Sequence, residues 1–153
     1  MITRREFLAQ TAGLAALAAV TRPLHARAPG ALVTVYKSGS CKCCARWVEH
    51  LKLNGFATEA HDVDSVDPVK DRYGVPQPLR SCHTGVVDGY VIEGHVPADD
   101  IQRLLKERPK VAGLTVPGMP PTAPGMYQPG DEKEPYTVLT FQKSGATTTY
   151  ARH

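Results

Sequence analysis

Three of the four cysteines of this chain, Cys41, Cys43 and Cys44, fall within four residues, at the junction of a strand-like run and a helix-like one. Residues 32–36 alternate apolar and polar side chains as a half-buried strand does, and Ser38-Gly39-Ser40 turns the chain. Beyond the cysteines, Cys44, Trp47, Val48 and Leu51 recur at the spacing of one helical face, while Arg46, Glu49, His50 and Lys52 fall off it. Strand, turn and helix in that order place three sulfurs at a helix N-terminus, with Ser40 the expected N-cap. Unpaired N–H groups and the helix dipole at such an end favour thiolate over thiol. Thiolates held there either exchange disulfides or bind a soft metal.

The fourth cysteine is Cys82, and an even count in a small chain ordinarily suggests a disulfide framework. Such a framework spreads its cysteines along the sequence, whereas this one crowds them. The compartment matters to that choice. Thr3-Arg4-Arg5-Glu6-Phe7-Leu8 followed by the small apolar run 9–20 has the form of a twin-arginine export signal, and Ala26-Arg27-Ala28 gives a small-x-small cleavage pattern. The apolar run is too short to span a bilayer. The expected organisation is therefore an export signal over 1–28 and one domain over 29–153, residing in the periplasm with no membrane association once the signal is removed. Twin-arginine export carries folded protein, so a reduced or metal-filled cysteine cluster can form before export.

Charge excludes one class of partner. The chain has 18 Lys and Arg against 15 Asp and Glu, but residues 1–28 hold Arg4, Arg5, Arg22 and Arg27 against Glu6, which leaves 14 of each sign in the domain. A neutral domain without a basic, aromatic-studded patch is not drawn to nucleic acid.

Along the domain, Asn54-Gly55 ends the first helix and a second strand is expected over 56–63. Asp67-Pro68 opens a short helix with Asp67 as N-cap, broken by Gly74-Val75-Pro76-Gln77-Pro78. Asp88-Gly89 signals a hairpin between the runs 85–87 and 90–93, and Ile101, Leu104 and Leu105 form the inward stripe of a third helix limited by Pro109. Residues 116–126 are rich in Pro and Gly with a repeated Pro-Gly-Met, hence an extended loop, and the runs 136–141 and 146–150 read as a final hairpin. Strand, helix, strand, helix, hairpin, helix is the order of a thioredoxin-like mixed sheet with flanking helices. Here a C-terminal Pro/Gly/Met loop and hairpin follow it. In that topology the loop entering the third strand faces the start of the first helix. Thioredoxins place a cis-proline there; this chain has Ser81-Cys82-His83-Thr84.

The combination of Cys41-x-Cys43-Cys44 with Trp47, Ser81-Cys82-His83-Thr84, Gly94-His95-Val96-Pro97 and Pro117-Gly118-Met119-Pro120 resembles the CopG-type family of small periplasmic metal-binding proteins. That family is associated with bacterial copper resistance and is often left as a domain of unknown function. The resemblance spans nearly all of the domain. It implies a thioredoxin-like fold and a Cu(I) site whose ligands are Cys41, Cys43, Cys44 and Cys82, with His83, Met119 and Met126 as auxiliary candidates. Copper is then the bound species, several Cu(I) ions sharing bridging thiolates, and other periplasmic copper-handling proteins are the partner class.

Blander readings stand beside these. A single tetrahedral zinc needs Cys43 and Cys44 to face one centre, which adjacent residues do only with strain. Cys41 and Cys44 also have the spacing of a dithiol oxidoreductase, the main alternative function. His50 and His61 have no ligand context, and His95 is expected to cap a helix or pack a loop. The two methionines serve equally as apolar anchors of the loop. Asp62, Asp64, Asp67, Asp99 and Asp100 read as turns and caps rather than as an acid–base pair.

Overall fold

The computed structural model describes residues 30–128, 130 and 134–153; the export signal expected over 1–28 lies outside the described residues. The elements follow in the order β1 (Leu32–Lys37), α1 (Lys42–Leu53), β2 (Ala57–Asp62), α2 (Asp67–Tyr73), a 3₁₀ turn (Gln77–Leu79), β3 (His83–Val87), β4 (Tyr90–Glu93), α3 (Ala98–Glu107), β5 (Gly113–Thr115), β6 (Thr137–Phe141) and β7 (Thr147–Arg152). The strands form one mixed sheet in the order β2-β1-β3-β4-β5-β6-β7. β2 runs parallel to β1, β3 antiparallel to β1, and β4 antiparallel to β3, so the expected strand–helix–strand–helix–hairpin–helix order is observed.

Period-2 alternation divides the side chains between the two faces of the sheet. On one face Val33, Val35, Ile92, Leu114 and Val138 pack with Trp47, Val48 and Leu51 of α1 and with Ala98, Ile101 and Leu104 of α3. On the other, Val91 and Phe141 meet Val75 and Leu79 from the segment after α2. Each fully buried aliphatic or aromatic side chain contributes about 1.5–3 kcal/mol relative to exposure, so the apolar stripe of α1 anchors the helix that carries the cysteines. The stripe read from the sequence is the buried one: Cys44, Trp47, Val48 and Leu51.

Three boundaries differ from expectation. The N-cap of α1 is Cys41 rather than Ser40, because the Cys41 sulfur reaches back to accept the Cys44 N–H. α2 begins at Asp67 itself, with Val66 before it and Pro68 in the first turn. β5 was not expected; it is three residues long and runs parallel to β4 and antiparallel to β6, linking the C-terminal hairpin to the rest of the sheet. Gly113 makes that pairing possible, since a Cβ there would lie 1.8 Å from the Val91 carbonyl oxygen.

Register sets the location of the site. Lys37 at the end of β1 pairs with His83 at the start of β3, and Thr84 pairs with Glu93 at the end of β4. The segment after β1 that enters α1, the segment before β3, and the segment after β4 therefore meet at one end of the sheet. Among the described residues no helix is long and apolar enough to cross a membrane.

Candidate metal centre

Four sulfurs converge at that end. Suitable ligand atoms of Cys41, Cys43, Cys44 and Cys82 all lie within 4.8 Å of one another. Cys41 and Cys44 are joined in a disulfide with Cα atoms 5.3 Å apart, and Cys43 and Cys82 are free thiols. The Cys43 sulfur is 3.5 Å from that of Cys41, and the Cys44 sulfur lies 3.9 Å from the Cys82 carbonyl oxygen. Two sulfurs bound to one ion at about 2.3 Å each lie at most ~4.6 Å apart, a limit that the 3.5 Å Cys41–Cys43 spacing meets and that the 4.8 Å span of the whole group approaches. Cys43 and Cys44 are the second and third residues of α1, where successive positions turn only about 100° around the axis, and both sulfurs reach the same group.

A second group shares Cys82. Ligand atoms of Cys82, His83 and His95 also lie within 4.8 Å of one another. The Cys82 sulfur is 3.1 Å from His95 Nε2 and 3.3 Å from His83 Nδ1. Burial pushes the Cys82 thiol up to about 11, with neighbouring Cys43 adding to the rise, so the metal-free site keeps its proton on sulfur at neutral pH.

The tautomer of His95 follows from its partners. Its Nδ1 lies 2.7 Å from the Pro124 carbonyl oxygen, which can only accept, so the proton sits on Nδ1. Burial lowers the pKa of His95, which keeps the ring neutral and leaves an Nε2 lone pair aimed at Cys82. A ligating histidine whose other nitrogen donates to a backbone carbonyl is the usual arrangement at metal centres. His83 is wholly buried against Trp47, ring centroids 4.3 Å apart, and Trp47 is itself fixed by its Nε1 donating to Val96 O at 2.9 Å. Burial holds His83 well below its ordinary pKa, and His95 beside it acts in the same direction. Its Nε2 is buried without a hydrogen-bond partner among the described residues, the kind of orphan whose desolvation costs about 1–3 kcal/mol.

The Pro/Gly/Met loop lies over α1 as a strap. Arg46 Nε donates to Gly125 O at 2.7 Å, His95 holds Pro124, and Gly125 sits so close to α1 that a Cβ would be 2.7 Å from Trp47 N and 2.9 Å from Cys43 O. Met126 packs against the core, whereas Met119, at φ +49°, is 45% exposed. A groove of about 390 Å³ along the outer part of the strap, lined by Tyr127, Tyr136 and His153 among others, contains none of the candidate ligands.

Two histidine contacts were not evident in the sequence. His95 packs the loop through the Pro124 carbonyl, as expected, and with its other nitrogen it also faces Cys82. The Gly94-His95-Val96-Pro97 block marked the segment, and the register that sets Gly94-His95 beside Ser81-Cys82-His83 supplies the contact. His50, expected to be bland, accepts the N–H of Ala98 at 3.0 Å and so caps α3 with an unprotonated Nε2. His61 remains on the surface, beside Glu59.

Comparison with known proteins adds three findings. Residues 79–126 match a family model described as a protein of unknown function, DUF411. Two solved structures of a copper resistance protein, copG, in Form 1 and Form 2, each match with 42% identity and a TM-score of 0.75, covering 81% of this chain and 98% of theirs. No curated protein matches the chain.

Proposed function

Since the chain belongs to the family of the copper resistance protein CopG, we propose that it binds copper for resistance and homeostasis, holding Cu(I) in a thiolate cluster made by Cys41, Cys43, Cys44 and Cys82. The observation that carries this reading is the convergence of four sulfurs within 4.8 Å, one of them flanked by two imidazole nitrogens. Soft thiolates suit Cu(I), zinc and iron–sulfur clusters, and the copper resistance relatives favour copper among these; bridging sulfur lets four ligands serve more than one ion. His83 and His95 add nitrogen donors on the Cys82 side.

Loading proceeds from the residues outward. A two-electron thiol donor opens the Cys41–Cys44 disulfide, each sulfur taking one electron, and the donor leaves as its own disulfide. Copper then replaces the thiol protons. At Cys82 it displaces the proton that burial otherwise holds on sulfur and that the His95 Nε2 lone pair faces. In the disulfide form two of the four cysteine sulfurs are withdrawn as thiolate donors, so capacity for copper falls with oxidation. The twin-arginine pattern supports residence in the periplasm after folding in a reducing compartment. Sequestration, redox buffering or transfer to other copper-handling proteins are the roles such a site serves.

One observation favours a second reading. The Cys41–Cys44 disulfide, with Cys41 at the helix N-cap, is the arrangement of a thiol–disulfide oxidoreductase. Anaerobic Cu(I) titration of the reduced protein, with copper X-ray absorption on the saturated sample, separates the two. Several tightly held ions in a sulfur-dominated shell are expected. Weak or substoichiometric copper, with a readily cycled Cys41–Cys44 disulfide, would replace the copper reading with the exchange reading.

A further inference from the structure

Behind the Cys82 segment lies a buried ion pair that no candidate ligand accounts for. Glu93 is fully buried at the end of β4, and Lys70 of α2 is 1% exposed, with Nζ 2.5 Å from Glu93 Oε1. The same Oε1 accepts the Ser81 N–H at 2.6 Å, while Oε2 accepts the Thr84 hydroxyl at 2.8 Å. Lys70 also donates to the Thr84 hydroxyl oxygen at 3.0 Å. The two carboxylate oxygens thus grip the first and last residues of Ser81-Cys82-His83-Thr84, the segment that carries one sulfur and one imidazole of the site. Along its own chain Glu93 precedes Gly94 and His95, which carries the other imidazole, and Gly94 N donates to His83 O at 3.2 Å.

Fold stability alone does not account for such a pair. Two charges removed from water recover their desolvation cost only through close geometry, and well-packed apolar residues in their place are often no less stable. What apolar residues cannot supply is an acceptor for the Ser81 N–H and the Thr84 hydroxyl at once. Burial drives the Glu93 carboxyl up, with the Lys70 ammonium and these hydrogen bonds opposing that rise.

We propose that Glu93, neutralised by Lys70, is a positioning residue of the metal centre: it fixes the backbone of Ser81-Cys82-His83-Thr84 so that Cys82, His83 and His95 keep their mutual spacing. The assignment of those ligands rests on the copper reading above; the clamp itself does not touch metal.

The test uses Glu93→Gln, which keeps shape but cannot accept at both ends beside an ammonium, and Thr84→Val, which removes one grip with little change of volume. Two readouts are taken on folded protein. The first is Cu(I) affinity of the reduced protein by chelator competition. It is expected to weaken about 10- to 100-fold in Glu93→Gln, the usual effect of losing a ligand's support, and less in Thr84→Val. The second needs no copper: in the metal-free disulfide form, alkylation of Cys82 relative to Cys43, resolved by peptide mapping, is expected to rise roughly threefold or more as the segment opens. Unchanged affinity and an unchanged Cys82-to-Cys43 ratio in either folded variant would overturn the proposal. Should the unaltered protein not bind Cu(I) while the alkylation ratio still rises, the copper reading fails and the clamp stands.

Discussion

Adding one methyl group at Gly94 should damage both the fold and the metal centre, and an equivalent glycine nearby provides the control. Gly94 has φ +74°, and a Cβ there would lie 2.7 Å from Ser81 Oγ and 2.8 Å from the Val116 carbonyl oxygen. Gly89, at the tip of the β3–β4 hairpin, has φ +88° and nothing within 4 Å of a Cβ. Both alanines carry the left-handed backbone cost of about 1–2 kcal/mol. Only Gly94→Ala adds overpacking against a backbone oxygen, about 1–3 kcal/mol more. At roughly 4 °C per kcal/mol for a domain of this size, Gly89→Ala should lower the melting temperature by ~4–8 °C and Gly94→Ala by ~8–20 °C. Circular dichroism melts of the metal-free disulfide form measure both. Because Gly94 links Glu93 to His95 and packs on Ser81, its alanine variant should also bind Cu(I) more weakly at temperatures where it is folded, and Gly89→Ala should not. Equal melting decrements for the two variants would refute the steric argument. An intact copper affinity in Gly94→Ala would refute the claim that the Gly94 backbone sets the ligand spacing.

The ligand assignment predicts that Cys82→Ser lowers Cu(I) stoichiometry while leaving the Cys41–Cys44 couple able to exchange with small thiols; loss of exchange with copper uptake unchanged would reverse the assignment. His50 predicts a pH effect. Burial lowers its pKa below 6.5, against a smaller upward pull from Asp99, so the unfolded chain binds the proton more readily and stability falls as pH drops below 6.5 through the folded value. Urea midpoints between pH 7.5 and 5 should decline less steeply in His50→Gln than in the unaltered protein, and parallel slopes would count against the cap on Ala98. Met119→Ala, at an exposed position, should change stability by no more than about 0.5 kcal/mol; a slower copper transfer to a chelator in that variant would assign the thioether a role in passing metal, and an unchanged rate would leave it a surface residue.

Much of the site was legible because its chemistry is local. Cys41, Cys43 and Cys44 announce themselves by spacing, and the buried stripe of α1 follows from its helical period. Cys82 became legible one level up, through the order of elements. His95 did not, because a lone histidine in a turn carries no local signal; its meaning comes from the β3–β4 register and from the Pro124 carbonyl that fixes its tautomer. Lys70 and Glu93 were hidden for the converse reason. A charged residue in a short helix and one at a strand end both read as solvated, and only their mutual approach permits burial. β5 was missed because three residues, one of them glycine, are too few to show alternation; the sheet recruits them by pairing on both sides. The cap falls at Cys41 instead of Ser40 because the Cys41 sulfur accepts the Cys44 N–H while the Ser40 hydroxyl pairs with that of Ser38.

The unequal spacing of the cysteines imposes an order on events in a newly unfolded or refolding chain. Cys41 and Cys44 are three residues apart, so they meet within a single turn, on the timescale of the fastest loop closures. Cys82 is 38 residues beyond Cys44 and reaches the others only after β3 has docked on β1, a non-local pairing that is intrinsically slower. In the unfolded chain the short-range pair therefore has a higher effective concentration than any pair with Cys82, which favours the Cys41–Cys44 bond in an oxidising medium. That bond occupies two of the three partners with which Cys82 could otherwise be mispaired, and leaves Cys43 as the free thiol beside Cys82 in the finished sheet. The crowded motif is in this respect a kinetic safeguard. It removes two of the three long-range crosslinks open to Cys82, and a cellular reductant is then needed to bring the first two sulfurs back into play.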